Sequence, residues 1–178
     1  VANVAFAAWM AVPGDELTID GIVHLDGLTA VMWVAVAFFS GIVHSFSRRY
    51  MAADPDVERF FGLIFLLTLV VMLLTAADHV ALFALAWTSM GLIMADLIGH
   101  VRDWPQADAA GGLARRYFLA GSVLLGAGLA VLASATGKTA ISGILANVEG
   151  LSPATTAVAA GLILSAAMIQ SALFPFHN

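Results

Sequence analysis

The sequence predicts an all-α fold, a polytopic bundle of transmembrane helices, and three observations lead there. The 178-residue chain is 61% hydrophobic and 11% charged, whereas soluble domains sit near ~45–50% apolar and ~25% charged. The apolar surplus falls in separate runs, each long enough to cross a hydrocarbon core that needs roughly 20 apolar residues. Six of the seven basic residues sit on alternate connections between those runs. Mean hydropathy is +0.96. The net charge of −5 says less about a membrane chain than the placement of its Lys and Arg residues. The sequence has no cysteine, which excludes disulfides and thiolate metal sites.

Taken in order, the chain opens on "VANVAFAAWMAV". This run has no basic segment before it and is too short to span, so it reads as a partial helix rather than a signal peptide. In "ELTIDGIVHLDG", Leu17 and Ile19 alternate with Glu16, Thr18 and Asp20, and Asp20-Gly21 suits a two-residue turn. A small surface hairpin is expected there. Five complete spans follow, at about 28–46, 60–77, 80–99, 117–134 and 153–173. At ~1.5 Å per residue each is about 27–32 Å long, matching a core of ~30 Å. The whole chain reads as a single membrane domain, without a linker or low-complexity tract.

Loop charges test this map independently. Arg48, Arg49 and Arg59 fall between spans one and two, and Arg102, Arg115 and Arg116 between spans three and four. Only Lys138 falls on the other set of loops. The positive-inside rule puts the arginine loops in the cytoplasm and the Asp78-His79 turn outside. Small residues at four-residue spacing recur in span four (Gly126, Ala130, Ser134) and span five (Ala157, Gly161, Ser165). Such spacing lets backbones approach closely in lipid, so these two spans are expected to be packed inside a bundle and not bathed on all sides by lipid.

Few motifs carry chemistry. "ATGKT" (135–139) imitates the end of a phosphate-binding loop, but Leu132 stands where the first glycine is needed and a span precedes it in place of a strand. The five histidines (His24, His44, His79, His100, His177) lack metal-ligand spacing, and His44 reads as a packed or interfacial residue. No Ser–His–carboxylate grouping is apparent, so no catalytic site is assigned. Polar groups inside the spans are more informative, because they are costly at membrane depth and read as functional by default. Thr88-Ser89 lies near the middle of span three. Asp96 lies one turn before its end and four residues from His100, a spacing at which the two could pair. Asp96 reads either as an interfacial carboxylate reaching water or as a proton-entry group. Asp78-His79 reads as a wet turn. Gln170, followed by Pro175, suggests either a helix that ends at the interface or a broken helix lining a pathway.

The order and spacing of several segments resemble the antiporter-like large subunit family. Those segments are "LDGLTAVM" (25–32), "HSFSRRYM" (44–51), "ERFF" (58–61), "ADHVALFALAW" (77–87), "GLIMADLIG" (91–99), "ARRYFLAGS" (114–122) and "QSALFPFH" (170–177). The family includes subunit 5 (subunit L) of respiratory complex I, large Mrp sodium/proton antiporter subunits and the DabB subunits of inorganic carbon transporters. The wording is most similar to the DabB branch. The resemblance implies a longer subunit of which this is a fragment truncated at both ends, with a discontinuous helix beginning near Pro175.

It also implies where the chain departs from its family. Thr88 stands where proton-pumping members carry a glutamate, Gln170 where they carry a lysine, and Arg116 where they carry another lysine. Thr and Gln do not titrate at physiological pH, so the pair whose charges shift each other's pKa is missing from this segment. The ion-path candidates are Asp96, Thr88, Gln170, Arg116 and Pro175. The function implied is a cation (proton)-translocating subunit of an energy-coupled CO2/bicarbonate uptake complex in the bacterial inner membrane. Its peripheral partner would be a zinc-containing subunit resembling a carbonic anhydrase (DabA-like), with zinc on that partner and no cofactor in this chain. The alternatives are a subunit of a quinone-reducing complex I or of an Mrp antiporter, beside other membrane subunits, and a non-conducting membrane scaffold. Membrane lipid is an expected partner and nucleic acid is not.

Overall fold

The computed structural model describes residues 17–19, 21–101 and 103–171. The partial helix expected before residue 13 and the broken helix expected at Pro175 lie outside the described residues. Within them the chain forms β1 (Leu17–Ile19), β2 (Val23–Leu25), α1 (Gly27–Tyr50), α2 (Val57–Ala76) and α3 (Val80–Ile98). Then come α4 (Pro105–Thr136), α5 (Ile141–Asn147), a 3-10 turn (Val148–Gly150) and α6 (Pro153–Gln170). Five of these helices, α1–α4 and α6, are long and apolar enough to cross a membrane. The fold is an all-α polytopic bundle, and this is an integral membrane protein.

Lipid explains the surface. Leu28, Phe38, Phe39 and Phe46 on α1 are 62–71% exposed. A patch of that size and character is not sustained in water. In a bilayer it costs nothing, because lipid tails are as apolar as the side chains, and packing and interhelical hydrogen bonds must hold the helices together instead.

Those bonds are visible between α1 and α2. Trp33 Nε1 donates to the Met72 carbonyl at 2.9 Å and to Thr75 Oγ1 at 3.1 Å. Ser40 and Thr68 share a hydroxyl–hydroxyl bond of 2.7 Å. His44 bonds the Ser40 carbonyl of its own helix at 2.8 Å and stacks on Phe61, as expected of a packed histidine. Asp26 caps α1, its Oδ1 accepting from the Thr29 N–H at 2.7 Å, and Arg48 and Arg49 occupy the last turn where the dipole favours cations. The backbone hydrogen bond from Thr29 holds the Asp26 carboxyl below its ordinary range.

Further along, neighbouring helices pack in chain order, α2 on α3, α3 on α4 and α4 on α6. α4 is the hub, and its closest approaches are made by glycine. A Cβ on Gly111 would lie 2.8 Å from Gly99 Cα and 3.0 Å from the Ala95 carbonyl, so α3 and α4 touch backbone to backbone. Toward α6, a Cβ on Gly128 would lie 2.8 Å from Ile163 Cγ1, and one on Gly121 would lie 3.4 Å from Ile169 Cγ2.

The small residues at four-residue spacing are not themselves the seam. Helices four and six do pack closely, but Gly126 and Gly161 have nothing within 4 Å of a built Cβ, and Ala130, Ser134 and Ala157 are exposed. The buried stripe is Gly121, Leu125 and Gly128 against Ala159, Ala166 and Ile169. A glycine- and alanine-rich helix offers small-residue spacing on more than one face. Only the position of the neighbour selects among them.

Three expectations change. The fourth helix begins at Pro105, twelve residues before the expected span at 117, and its 32 residues run about 48 Å at ~1.5 Å per residue. Its first three turns extend the helix past the apolar segment, started by Pro105 in the first turn, where no N–H is needed. The hairpin forms, but Ile19 pairs with Val23, so three residues rather than two make its loop, with Gly21 at φ 68°. The Ile22 N–H donates to the Ile19 carbonyl at 2.8 Å, and Gly21 holds the third position of that turn, where a positive φ favours glycine. Finally, α6 ends at Gln170 and not at 173.

Candidate functional site at the arginine-rich end

Charge on the spanning helices is confined to one end of the bundle. Along α3 the sole ionised side chain is Asp96, and α4 carries no charge after Arg116. The structure joins these groups directly: Arg115 Nη2 donates to Asp96 Oδ1, linking α3 to α4. The neighbouring Gly99–Gly111 contact allows this, since it brings the two helix backbones close enough for the side chains to meet. The pair is not sealed off, with Arg115 53% and Asp96 35% exposed.

The expected Asp96–His100 pairing does not form. His100 is buried at 6% exposure, and its Nε2 meets Asp54 Oδ1 at 3.3 Å across the connection between α1 and α2. Its ring sits edge-on to Phe60. Spacing of four allows a pair on one helix but does not oblige it. Here each residue found a partner on another segment.

Asp96 and Arg115 line a cleft with Arg59 from α2, Asp108 and Arg116 from α4, and the bare backbone of Gly99, Gly111 and Gly112. Its volume is about 560 Å³. Arg116 lines the cleft without a side-chain acceptor among the described residues, so the cation that holds Asp96 is its neighbour. Adjacent residues on a helix point about 100° apart. "RR" therefore announced a cation at this turn without saying which one would reach α3. Arg59 and Asp108 were not singled out as site residues from sequence, because only the packing of α2, α3 and α4 brings them to the same cleft.

The remaining candidates lie deeper. Gly91 packs on Phe118 and Gly121 on Ile169. This places Thr88, one turn from Gly91, and Gln170, next to Ile169, on either side of α4 near the level of Gly121. Thr88 Oγ1 donates to the Ala84 carbonyl of its own helix at 2.7 Å, which leaves its lone pairs free. Gln170 Oε1 and Trp87 Nε1 are buried without a hydrogen-bond partner among the described residues. No hydrogen bond joins Thr88, Gln170 and Asp96 to one another among those residues. Pro175 lies outside them.

At the opposite end the Asp78-His79 turn, expected to be wet, belongs to a largely buried polar cluster. Asp78 is 9% exposed. Its N–H donates to the Ile22 carbonyl at 2.9 Å, and its carboxylate accepts from the Ser142 N–H and Ser142 Oγ, both at 2.7 Å. Val80 N–H donates to Thr139 at 2.9 Å. This clasp ties the hairpin, the α2–α3 turn and α5 together. Gly137, the glycine of "ATGKT", ends α4 in the left-handed conformation at φ 67°, with its N–H on the Ala133 carbonyl at 2.9 Å.

The bundle of spanning helices, with one polar, arginine-rich end and uncharged polar groups deeper inside, is that of an integral membrane protein. Residues 77–178 match the family model described as NADH:quinone oxidoreductase/Mrp antiporter, TM, and residues 9–61 match complex I chain 5 N-terminus. The chain belongs to this antiporter-like family of membrane subunits. Among its relatives, NADH-quinone oxidoreductase subunit L of Mycobacterium tuberculosis is 29% identical over 93% of this chain and 26% of that protein. The probable inorganic carbon transporter subunit DabB1 of Halothiobacillus neapolitanus is 33% identical over 90% of this chain and 30% of that protein. NADH-ubiquinone oxidoreductase chain 5 of Cryptococcus neoformans is 28% identical over 86% of this chain and 23% of that protein. The chain thus spans about a quarter to a third of the length of these curated relatives.

Proposed function

We propose that this chain is part of a cation-translocating membrane subunit that energises inorganic carbon uptake. The observation that carries the reading is the placement of charge. The interiors of α3, α4 and α6 offer Thr88 and Gln170, which can order water but do not titrate near neutral pH. The ionised pair Asp96–Arg115 stands at one end. Such a segment suits the mouth of an ion path better than a complete titratable relay. The likeness to the probable carbon transporter subunit, 33% over 90% of the chain, supports the same choice.

In this reading the arginine-rich end faces the cytoplasm of a bacterial inner membrane, as the positive-inside rule asks. Asp96 receives the cation, Arg115 sets its charge balance, and Thr88, Gln170 and Arg116 line the path, with Pro175 opening a broken helix beside it. A peripheral partner with zinc chemistry of the carbonic-anhydrase kind hydrates CO2, and ion flow makes that hydration one-directional.

The test is uptake of labelled inorganic carbon by cells carrying the full-length subunit with its partner. Uptake that collapses with the proton gradient, and falls at least tenfold in Asp96→Asn, supports the reading. Uptake that survives loss of both proton and sodium gradients sinks it.

A second reading draws on the subunit L match, which covers 93% of the chain. Here the chain serves a quinone-reducing complex. Co-purification of the full-length subunit with NADH-driven quinone reductase activity, without carbon uptake, would select it.

A further inference from the structure

The cleft between the ends of α2, α3 and α4 holds more positive charge than its own carboxylates satisfy. Arg59, Arg115 and Arg116 line it against Asp96 and Asp108. Arg115 is committed to Asp96. That leaves two guanidinium groups facing one carboxylate, and Asp108 bonds neither of them among the described residues. Arg59 is the unusual member, because its Nη1 is buried without an acceptor among those residues. A buried charged donor left unmade is costly, more so than a neutral one. Its geometry asks for an oxygen acceptor, and a planar guanidinium fork matches two oxygens of one phosphate.

The cleft also has room. Gly99, Gly111 and Gly112 form its wall, nothing lies within 4 Å of a Cβ built on Gly112, and the volume of about 560 Å³ falls in the range of small-ligand sites. It opens at the end of the bundle where the spanning helices give way to connections, which is headgroup depth in a bilayer. Basic pockets between spanning helices at that depth suit anionic headgroups.

We infer that the Arg59–Arg116 cleft binds a phosphate oxyanion, with Arg59 as its principal donor. The site shares Asp96, Arg115 and Arg116 with the proposed ion path, but it requires neither ion flow nor a carbon substrate, and the binding tests below read it without transport. Asp96 serves it only by occupying Arg115, and Asp108 opposes it as a like charge.

The same chemistry could arrive as a lipid phosphodiester or as free phosphate, and two probes separate them. The full-length protein is placed in phosphatidylcholine nanodiscs with or without phosphatidylglycerol, and lipid retention is read by native mass spectrometry. In parallel, inorganic phosphate is titrated against the thermal midpoint of the detergent-solubilised protein. Retention of phosphatidylglycerol that weakens about fivefold in Arg59→Gln, and strengthens in Asp108→Asn, identifies a lipid headgroup. An Arg59-dependent rise in midpoint with phosphate, without preference for phosphatidylglycerol, identifies the free anion. Arg59→Lys keeps the charge without the fork and should fall between wild type and Arg59→Gln. If Arg59→Gln does not fold, Arg59→Lys and Asp108→Asn decide alone. Binding that is unchanged in Arg59→Lys and unchanged or weaker in Asp108→Asn overturns the site. So does a failure of both probes to distinguish wild type from Arg59→Gln.

Discussion

Both carboxylate oxygens of Asp78 are engaged by a single residue, Ser142, one by its N–H and the other by its hydroxyl, each at 2.7 Å. The two residues are 64 positions apart in sequence. The bond pins the start of α5 to the turn between two spanning helices. Hydrogen bonds to a charged group contribute about 1.5–3 kcal/mol, and breaking one partner of a buried set leaves the other unsatisfied. Asp78→Ala should therefore lower stability by about 2–4 kcal/mol, and Ser142→Ala by less, since its N–H remains. Thermal unfolding of the full-length protein in one detergent reads both. Equal, negligible losses would show that the clasp carries no stability.

The two glycine seams give a paired experiment. Gly111→Ala drives a methyl group to within 2.8 Å of Gly99 Cα, and overpacking of this kind costs about 1–3 kcal/mol. Gly112→Ala meets open space and should be neutral, or stabilising by about 0.5–1 kcal/mol from helix propensity. Along the α4–α6 contact, Gly128→Ala should destabilise while Gly126→Ala and Gly161→Ala should not. Reversal of either ranking in a thermal or denaturant series would contradict the packing described.

The ion pair between Asp96 and Arg115 should matter little for stability. Both side chains reach solvent or headgroups, and pairs exposed to this degree are coupled by about 0–1 kcal/mol. A double-mutant cycle with Asp96→Asn and Arg115→Gln should report a coupling in that range in low salt, shrinking as salt is raised. Coupling above ~2 kcal/mol would mean that the pair is buried in the full-length protein.

Asp26 supplies a pH-dependent contribution of known sign. Its carboxyl is held below its ordinary value by the Thr29 N–H, so the folded state favours the ionised form. The cap is thus fully stabilising above about pH 4, where an unfolded aspartate is ionised, and is lost as pH falls through the lowered folded value. Asp26→Ala should cost about 1 kcal/mol at neutral pH. The gap from wild type should close in strong acid, as unfolding midpoints measured across that range will show.

Much of this architecture could be read from the chain. Long apolar runs marked which segments are helical, and the start of α6 at Pro153 was legible because a first-turn proline acts locally. Helix α4, by contrast, starts at Pro105, ahead of the apolar run that announced it. Which face of α4 meets α6 was not legible, since Gly126 and Gly128 are equally small and only the neighbour's position distinguishes them. The same holds for the site. Asp96 stood out as the lone acid of its helix, but its partner depended on how α3 and α4 cross at Gly99 and Gly111. Asp78 looked solvated because its hydrogen-bond donor, Ser142, belongs to a seven-residue helix too short to announce itself by periodicity.

One property of α4 links the two ends of the molecule. It runs from Pro105 to Thr136 as one continuous helix with no proline after its first residue. Arg115 rides near one end, and Gly137 hands the other directly to Thr139, which is hydrogen-bonded to the base of α3. α3 in turn carries Asp96 back to Arg115. The two helices thus form a closed mechanical loop, fastened at both ends and bearing on a glycine pivot. The Asp96–Arg115 pair near one end of α4 and the Thr139 contact just past the other both join it to α3. A single helix thus carries contacts at both ends of the bundle.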